Sequence, residues 1–263
     1  MKETDCQKAL EISKKLAVDA GRKIMEIYQD EKQFNIEYKA DKSPLTIADK
    51  LSNQIIVEGL RKAFPSCAVL SEEEKDDRDR LRREFCFIVD PLDGTKEFLK
   101  RNGQFTINIA LAYKHRSIMG VIYVPVSGDL YYAWKGYGSW LRSCEGKVSR
   151  LHVSAATAPG EIRLVVSSSH GCRQTDKLIE KKQFRELIRI GSSLKGCLVA
   201  KGDAEIYYRY NPTMEWDTAA MQCIAEEAGA VFRQMDDSEM LYNRENVCNE
   251  KGFYIINDWK NRI

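Results

Sequence analysis

The run Ile88-Val89-Asp90-Pro91-Leu92-Asp93-Gly94-Thr95-Lys96-Glu97-Phe98 decides how this chain is read. Apolar residues over 85–89 predict a strand that ends at Asp90; a proline-containing turn follows, and Gly94-Thr95 opens a helix. Two carboxylates three residues apart at a strand end can converge on one cation. Amides at the start of a helix can hold a phosphate beside that cation. The plainer alternative is a turn in which Asp93 only caps the helix.

Three further acids bear on that choice. Glu72 follows the apolar run Ala68-Val69-Leu70, so it too stands at a strand end, unless it merely opens the mixed charge run over 72–84, most of which reads as a solvated loop. Asp217 precedes a helix predicted over 218–228, either as a ligand or as an N-cap. Asp49 fits a capping box with Thr46 and is also available as a base. The set offers oxygen ligands without a His or Cys cluster, which favours Mg²⁺ over zinc.

Away from these acids, apolar residues at helical spacing predict helices over 7–29 and 46–64, with a strand over 34–39 between them. Strands are expected over 105–112 and 118–124, about a turn at Lys114-His115, and Gly136, Gly138 and Gly146 mark further turns. From about residue 150 a new cycle starts: strand 163–167, helix 174–180, strand 187–190, helix 193–200 and strand 204–208. The helix over 218–228 stops on Gly229, and strands over 231–235 and 253–256 close the chain. The pattern divides the chain into two portions, 1–150 and 151–263, of layered sheets and helices rather than a parallel barrel.

Composition sets the outer bounds. The 263 residues carry 41 Lys and Arg against 39 Asp and Glu, so a net charge of +2 gives no support to a nucleic-acid or membrane partner. No apolar run is long enough to span a bilayer, and no signal peptide is readable at the N-terminus. Eight cysteines stand singly with no CxxC pair, which predicts reduced thiols and a cytoplasmic setting.

The strings Leu70-Ser71-Glu72-Glu73, Asp90-Pro91-Leu92-Asp93-Gly94-Thr95 and Trp216-Asp217 resemble the metal motifs of the inositol monophosphatase superfamily in order and spacing. Lys96-Glu97-Phe98, Arg101-Asn102-Gly103 and Gly191-Ser192-Ser193-Leu194-Lys195 are similar to its CysQ-type 3′(2′),5′-bisphosphate nucleotidase branch. The resemblance implies an αβαβα sandwich and a Mg²⁺-dependent, lithium-sensitive phosphomonoesterase acting on adenosine 3′,5′-bisphosphate (PAP), and also on its sulfated relative PAPS. It implies that Glu72, Asp90 and the Leu92 carbonyl hold one ion, and that Asp90, Asp93 and Asp217 hold a second. Thr95 and Asp49 would form the proton-accepting pair, and the amides of Gly94 and Thr95 would bind the phosphoryl oxygens.

His170, Ser192, Lys195 and Arg209 would line the nucleotide side, with Ser192 and Lys195 one helical turn apart. At the place of Arg209 the inositol monophosphatases carry an acid, and an arginine there suits a second phosphate. Read without the family, Ser192 is a helix cap, Lys195 is solvated and Arg209 faces outward from a strand. The resemblance also implies a monomer. The competing activities are hydrolysis of inositol phosphates or fructose 1,6-bisphosphate on the same fold, and nucleotide sensing without catalysis.

Overall fold

The computed structural model describes residues 3–30, 34, 36–38, 44–169 and 171–263. Helix α1 (Glu3–Tyr28) buries Ala9, Leu10, Ala17, Ala20, Ile24 and Ile27, the stripe read from the sequence. A short antiparallel pair, β1 (Glu37–Tyr38) and β2 (Pro44–Leu45), leads into α2 (Ile47–Ala63). The strand expected over 34–39 is thus reduced to two residues among those described.

A seven-stranded sheet follows in sequence order: β3 (Ala68–Ser71), β4 (Phe85–Asp93), β5 (Thr106–Tyr113), β6 (Arg116–Val124), β7 (Asp129–Trp134), β8 (Gly138–Arg142) and β9 (Val148–Arg150). Only β3 and β4 are parallel. Between β4 and β5 lies the short helix α3 (Thr95–Leu99). The turn at Lys114-His115 holds both residues at positive φ, 45° and 65°.

The second sheet is built from β10 (Arg163–Ser167), β11 (Glu186–Ile190), β12 (Ile206–Arg209), β14 (Val231–Gln234) and β16 (Phe253–Ile256), in the order β11-β10-β12-β16-β14. Helix α4 (Arg173–Lys181) separates β10 from β11, and α5 (Leu194–Lys201) separates β11 from β12. A separate pair, β13 (Thr213–Met214) and β15 (Cys248–Asn249), brackets α6 (Glu215–Glu227).

Five layers result. Helices α1 and α2 cover one face of the large sheet, meeting Phe87, Val89, Ile107, Ile109 and Leu111. Cys86, Ile88, Ala110, Ala112 and Ile122 face the other way, onto α5 and α6, which in turn pack on Tyr207, Phe253 and Ile255 of the second sheet. Leu178 of α4 closes the outer face over Leu164, Val166, Ile206 and Tyr254. This is the αβαβα sandwich that the motifs imply. Both faces of the central strands β4, β5 and β6 are buried, so these are mostly apolar rather than alternating.

Small residues let α6 sit close to the large sheet. A Cβ on Gly120 would lie 2.3 Å from the Ala220 carbonyl oxygen, so strand and helix backbones are nearly in contact there. Gly120→Ala should therefore force the two layers apart and cost about 1–3 kcal/mol, seen as a lower midpoint in urea or heat. An unchanged midpoint would show that the layers shift freely.

Two expectations need correction here. Strand β4 does not stop at Asp90 but runs to Asp93, with a register shift in which Asp90 pairs with Asn108 and Asp93 with Thr106. The charge run is not wholly solvated: Arg80 is buried, bonded to Asp76 at 2.7 Å and to Asn243 at 2.9 Å, and it ties the segment to the distant C-terminal region. Among the described residues no helix is long and apolar enough to cross a membrane, and no cysteine is in a disulfide.

Candidate active site

The irregular end of β4 does what a regular strand cannot. An even separation would put two carboxylates on one face, whereas Asp90 and Asp93 differ by three positions. The register shift, three residues on β4 against two on β5, turns both to the same side. The turn is locked from inside, since Asp90 Oδ1 accepts from the Leu92 amide at 3.1 Å and Ser52 Oγ donates to the Pro91 carbonyl at 2.7 Å.

Asp217 comes to the same place from α6. That helix begins at Glu215, not at residue 218, so Asp217 is in its first turn rather than at its cap. Its Oδ2 accepts the Met214 amide at 2.7 Å. One oxygen from each of Asp90, Asp93 and Asp217 lies within 4.8 Å of the others. Glu72, just past β3, lines the same cavity of about 300 Å³.

Electrostatics report how costly this cluster is. Burial first, then Glu72, Asp93 and Asp217, pushes Asp90 well above the usual carboxylate range. Burial and then Asp93 push Asp217 up to about 8. A cation removes that penalty, and the donors are all hard oxygens, so the site fits Mg²⁺ better than a thiolate- or imidazole-seeking metal. In metal-free protein the sign is fixed: the folded state holds its proton more tightly than the unfolded chain. Stability in EDTA should fall as pH rises from about 4, the ordinary range of Asp217, to about 8, and added Mg²⁺ should abolish most of the slope. Thermal melts across that range check it; a flat or rising profile would contradict the cluster.

Asp49 completes the capping box read from the sequence with one oxygen and meets Thr95 with the other. Oδ2 accepts the Thr46 amide at 2.8 Å and the Thr46 hydroxyl at 2.6 Å, completing the cap of α2. Oδ1 accepts the Thr95 hydroxyl at 3.0 Å. Burial raises the pKa of Asp49, while these hydrogen bonds oppose the rise. Thr95 is the first residue of α3 and Gly94 its N-cap, at φ 98°, so Asp93 is not the cap. The leading amides of α3 have no intrahelical acceptor.

The rest of the lining comes from the start of α5 and the end of β12. Ser192, Lys195 and Arg209 all line the cavity. Ser192 precedes α5 at φ 48°, so it does not share a helical turn with Lys195, though both reach the same space. Lys195 is buried rather than solvated; its Nζ donates to the Ser192 carbonyl, and burial pushes it down to about 8. Arg209 ends β12 facing the cavity, with its Nε buried and lacking a hydrogen-bond partner. His170 lies outside the described residues.

Sequence reasoning missed the residues that hold Asp93. Ser193 Oγ donates to Asp93 Oδ2 at 2.6 Å and Asn108 Nδ2 does so at 3.2 Å. Only Ser193 left a trace, as a member of the quoted 191–195 run.

The family model of the inositol monophosphatase family matches residues 5–261. The chain belongs to the inositol monophosphatase family. Within that family it is 40% identical to the 3′(2′),5′-bisphosphate nucleotidase CysQ of Escherichia coli strain K12, over 89% of this chain and 94% of that protein. The crystal structure of CysQ from Bacteroides thetaiotaomicron superposes with a TM-score of 0.83 at 41% identity, covering 96% of this chain and 98% of that one. SuhB from Bartonella henselae, at 25% identity, superposes with 0.81 over 95% and 94%. The inositol monophosphatase family is metal-dependent, and this member is a phosphatase whose acidic cluster can accept the metal.

Proposed function

We propose that this phosphatase removes the 3′-phosphate of PAP to give AMP and inorganic phosphate with Mg²⁺, and acts on PAPS in the same way. One observation carries the choice of substrate: Arg209, with its buried and unpartnered Nε, and the buried Lys195 line the same cavity as the carboxylates. A cavity lined by metal-binding carboxylates and by two further cationic side chains fits a molecule with two phosphates, one cleaved and one retained. An inositol monophosphate offers no second phosphate to those cations.

In this reading Glu72, Asp90 and the Leu92 carbonyl would hold one Mg²⁺, and Asp90, Asp93 and Asp217 a second. When bound, the ions supply Lewis-acid stabilisation of the attacking and leaving oxygens. The chain's own groups do the rest. The Thr95 hydroxyl donates to Asp49 Oδ1, so a lone pair is left for the attacking water; as the water's proton moves to Thr95 Oγ1, the hydroxyl proton passes to Asp49 Oδ1. The amides of Gly94 and Thr95 take up charge on the phosphoryl oxygens. Ser192, Lys195 and Arg209 orient the nucleotide. Inhibition by Li⁺ belongs to the same reading, as do a monomeric cytoplasmic enzyme and a division of labour between 1–150, with most ligands and the Asp49–Thr95 pair, and 151–263, with Asp217 and the nucleotide wall.

The test is phosphate release from PAP, PAPS, inositol 1-phosphate and fructose 1,6-bisphosphate in parallel, with and without Mg²⁺. Preference for inositol 1-phosphate would reject the reading, as would binding of PAP without release. Arg209→Ala refines it: kcat/KM for PAP should fall roughly ten- to a hundredfold, while 3′-AMP, which lacks the 5′-phosphate, is turned over much as before. Equal losses on both would place Arg209 in support of the fold instead.

A further inference from the structure

Three short motifs remain without a role in the chemistry: Lys96-Glu97-Phe98, Arg101-Asn102-Gly103 and the glycine of Gly191-Ser192-Ser193. The structure brings them together at one edge of the cavity. Glu97 is buried at the cavity wall, and its Oε1 accepts from the Ser169 hydroxyl just beyond β10. Lys100 Nζ donates to the same hydroxyl at 3.1 Å. Gln104 Oε1 accepts twice, from the Gly191 amide at 2.8 Å and from Ser168 Oγ at 3.1 Å. Its own backbone is set by Asn102, whose Oδ1 accepts the Gln104 amide at 3.0 Å. Arg101 and Gly103 turn the chain there at φ 54° and 76°.

Gly191 is the point of closest approach. A Cβ on it would lie 2.7 Å from Glu97 Cγ and 2.9 Å from the Gln104 carbonyl oxygen. The segment after α3 is therefore pressed against the β11–α5 loop, with no room for a side chain between them. Gly94 and Thr95, where the cleaved phosphate would sit, line the cavity together with Ser192, Lys195 and Ser167 of the β10 end, and a Cβ on Gly94 would lie 3.4 Å from Ser192 Cβ.

We infer that Glu97, Lys100 and Gln104, bonded to Ser168, Ser169 and Gly191, form a clamp that fixes the distance between the start of α3 and the loop that carries Ser192, and so measures the separation of the substrate's two phosphates. The inference rests on the bisphosphate reading above. These are positioning residues: none is needed for proton transfer or metal binding. Gln104 acts on the β11–α5 loop directly, through Gly191, and Glu97 and Lys100 act on the segment after β10, whose Ser168 amide donates to the Ile190 carbonyl at the end of β11 at 3.2 Å. A monophosphate engages only the start of α3, so its binding does not depend on the spacing. A bisphosphate also engages the loop that carries Ser192 and does.

The experiment compares Gln104→Ala, Ser169→Ala and Glu97→Gln with the wild type, using PAP and 3′-AMP with Mg²⁺. In the two alanine variants KM for PAP should rise about five- to tenfold, the loss expected from one or two hydrogen bonds, with kcat and the KM for 3′-AMP within about twofold. Glu97→Gln keeps an oxygen that accepts from Ser169 and should stay near wild type throughout. Equal KM rises for the two substrates, a loss carried by kcat, or no change for either overturns the clamp. Amide hydrogen exchange over 167–169 and 190–195 is read on the same proteins. Faster exchange there in the alanine variants supports the clamp and unchanged exchange overturns it, whether or not PAP is turned over. Failure of the substrate reading shows separately, as a wild type that releases no phosphate from PAP.

Discussion

Asp93→Asn should lower kcat on the order of 10²–10³-fold and raise the Mg²⁺ concentration needed for half-maximal rate, without loss of folded protein. The substitution is nearly isosteric, and Ser193 and Asn108 donate to the carboxylate at 2.6 and 3.2 Å. An asparagine must turn its carbonyl oxygen to those two donors. Its NH₂ then faces Asp90 and Asp217, which places a hydrogen-bond donor where a ligand oxygen stood. In metal-free protein that exchange is favourable, because one negative charge leaves a buried cluster and the two that remain gain a donor. The variant should thus melt at the same temperature as wild type in EDTA or above it, and Mg²⁺ should raise its melting point less. Mg²⁺ titrations of phosphate release and of the melting temperature measure both parts. Wild-type rates at low Mg²⁺ would show that Asp93 only shapes the turn.

Thr95→Val should be the more severe change in the chemical step, with kcat lower by about 10²–10⁴-fold at saturating Mg²⁺ and PAP. Valine keeps the β-branched shape at the first position of α3 but can neither accept the proton of the attacking water nor donate to Asp49 Oδ1. It also leaves that buried oxygen without its 3.0 Å partner. Thr95→Ser restores the hydroxyl and should recover most of the rate. Affinity for Mg²⁺ should hardly move in either variant, because Thr95 is outside the carboxylate cluster. A valine variant that keeps its rate would remove Thr95 from the reaction. One that loses Mg²⁺ affinity in proportion to its rate would make it a support of the metal loop.

What could be read from the sequence depended on how locally each feature is encoded. The Asp90–Thr95 turn and the Thr46–Asp49 cap are complete within a few residues, so both were visible, and a capped helix start is among the clearest local signals. The bulge that aligns Asp90 with Asp93 was not visible, because it exists only in the register between β4 and β5. Ser193 and Asn108 reach Asp93 from other elements, and no spacing rule connects them to it. Arg80 sat hidden in a run of charges because its partner Asn243 is 163 residues away. Lys195 read as solvated for a related reason: a lone lysine on a short helix carries no mark of burial, and only the closing of the second sheet over α5 and α6 encloses it.

The two-sided use of Asp49 bears on how such chains decay when selection for turnover is lifted. One oxygen holds the start of α2 and the other holds Thr95. A copy of this protein freed from catalysis would still be penalised for losing Asp49, since the bonds it accepts from the Thr46 amide and hydroxyl at the start of α2 are worth about 0.5–1.5 kcal/mol each to a protein of ordinary, narrow stability. Thr95 carries no such insurance. Drift should therefore erase the threonine first and leave the aspartate standing, so a sequence that keeps Asp49 alone testifies to a folded helix, and the pair together testifies to a working enzyme.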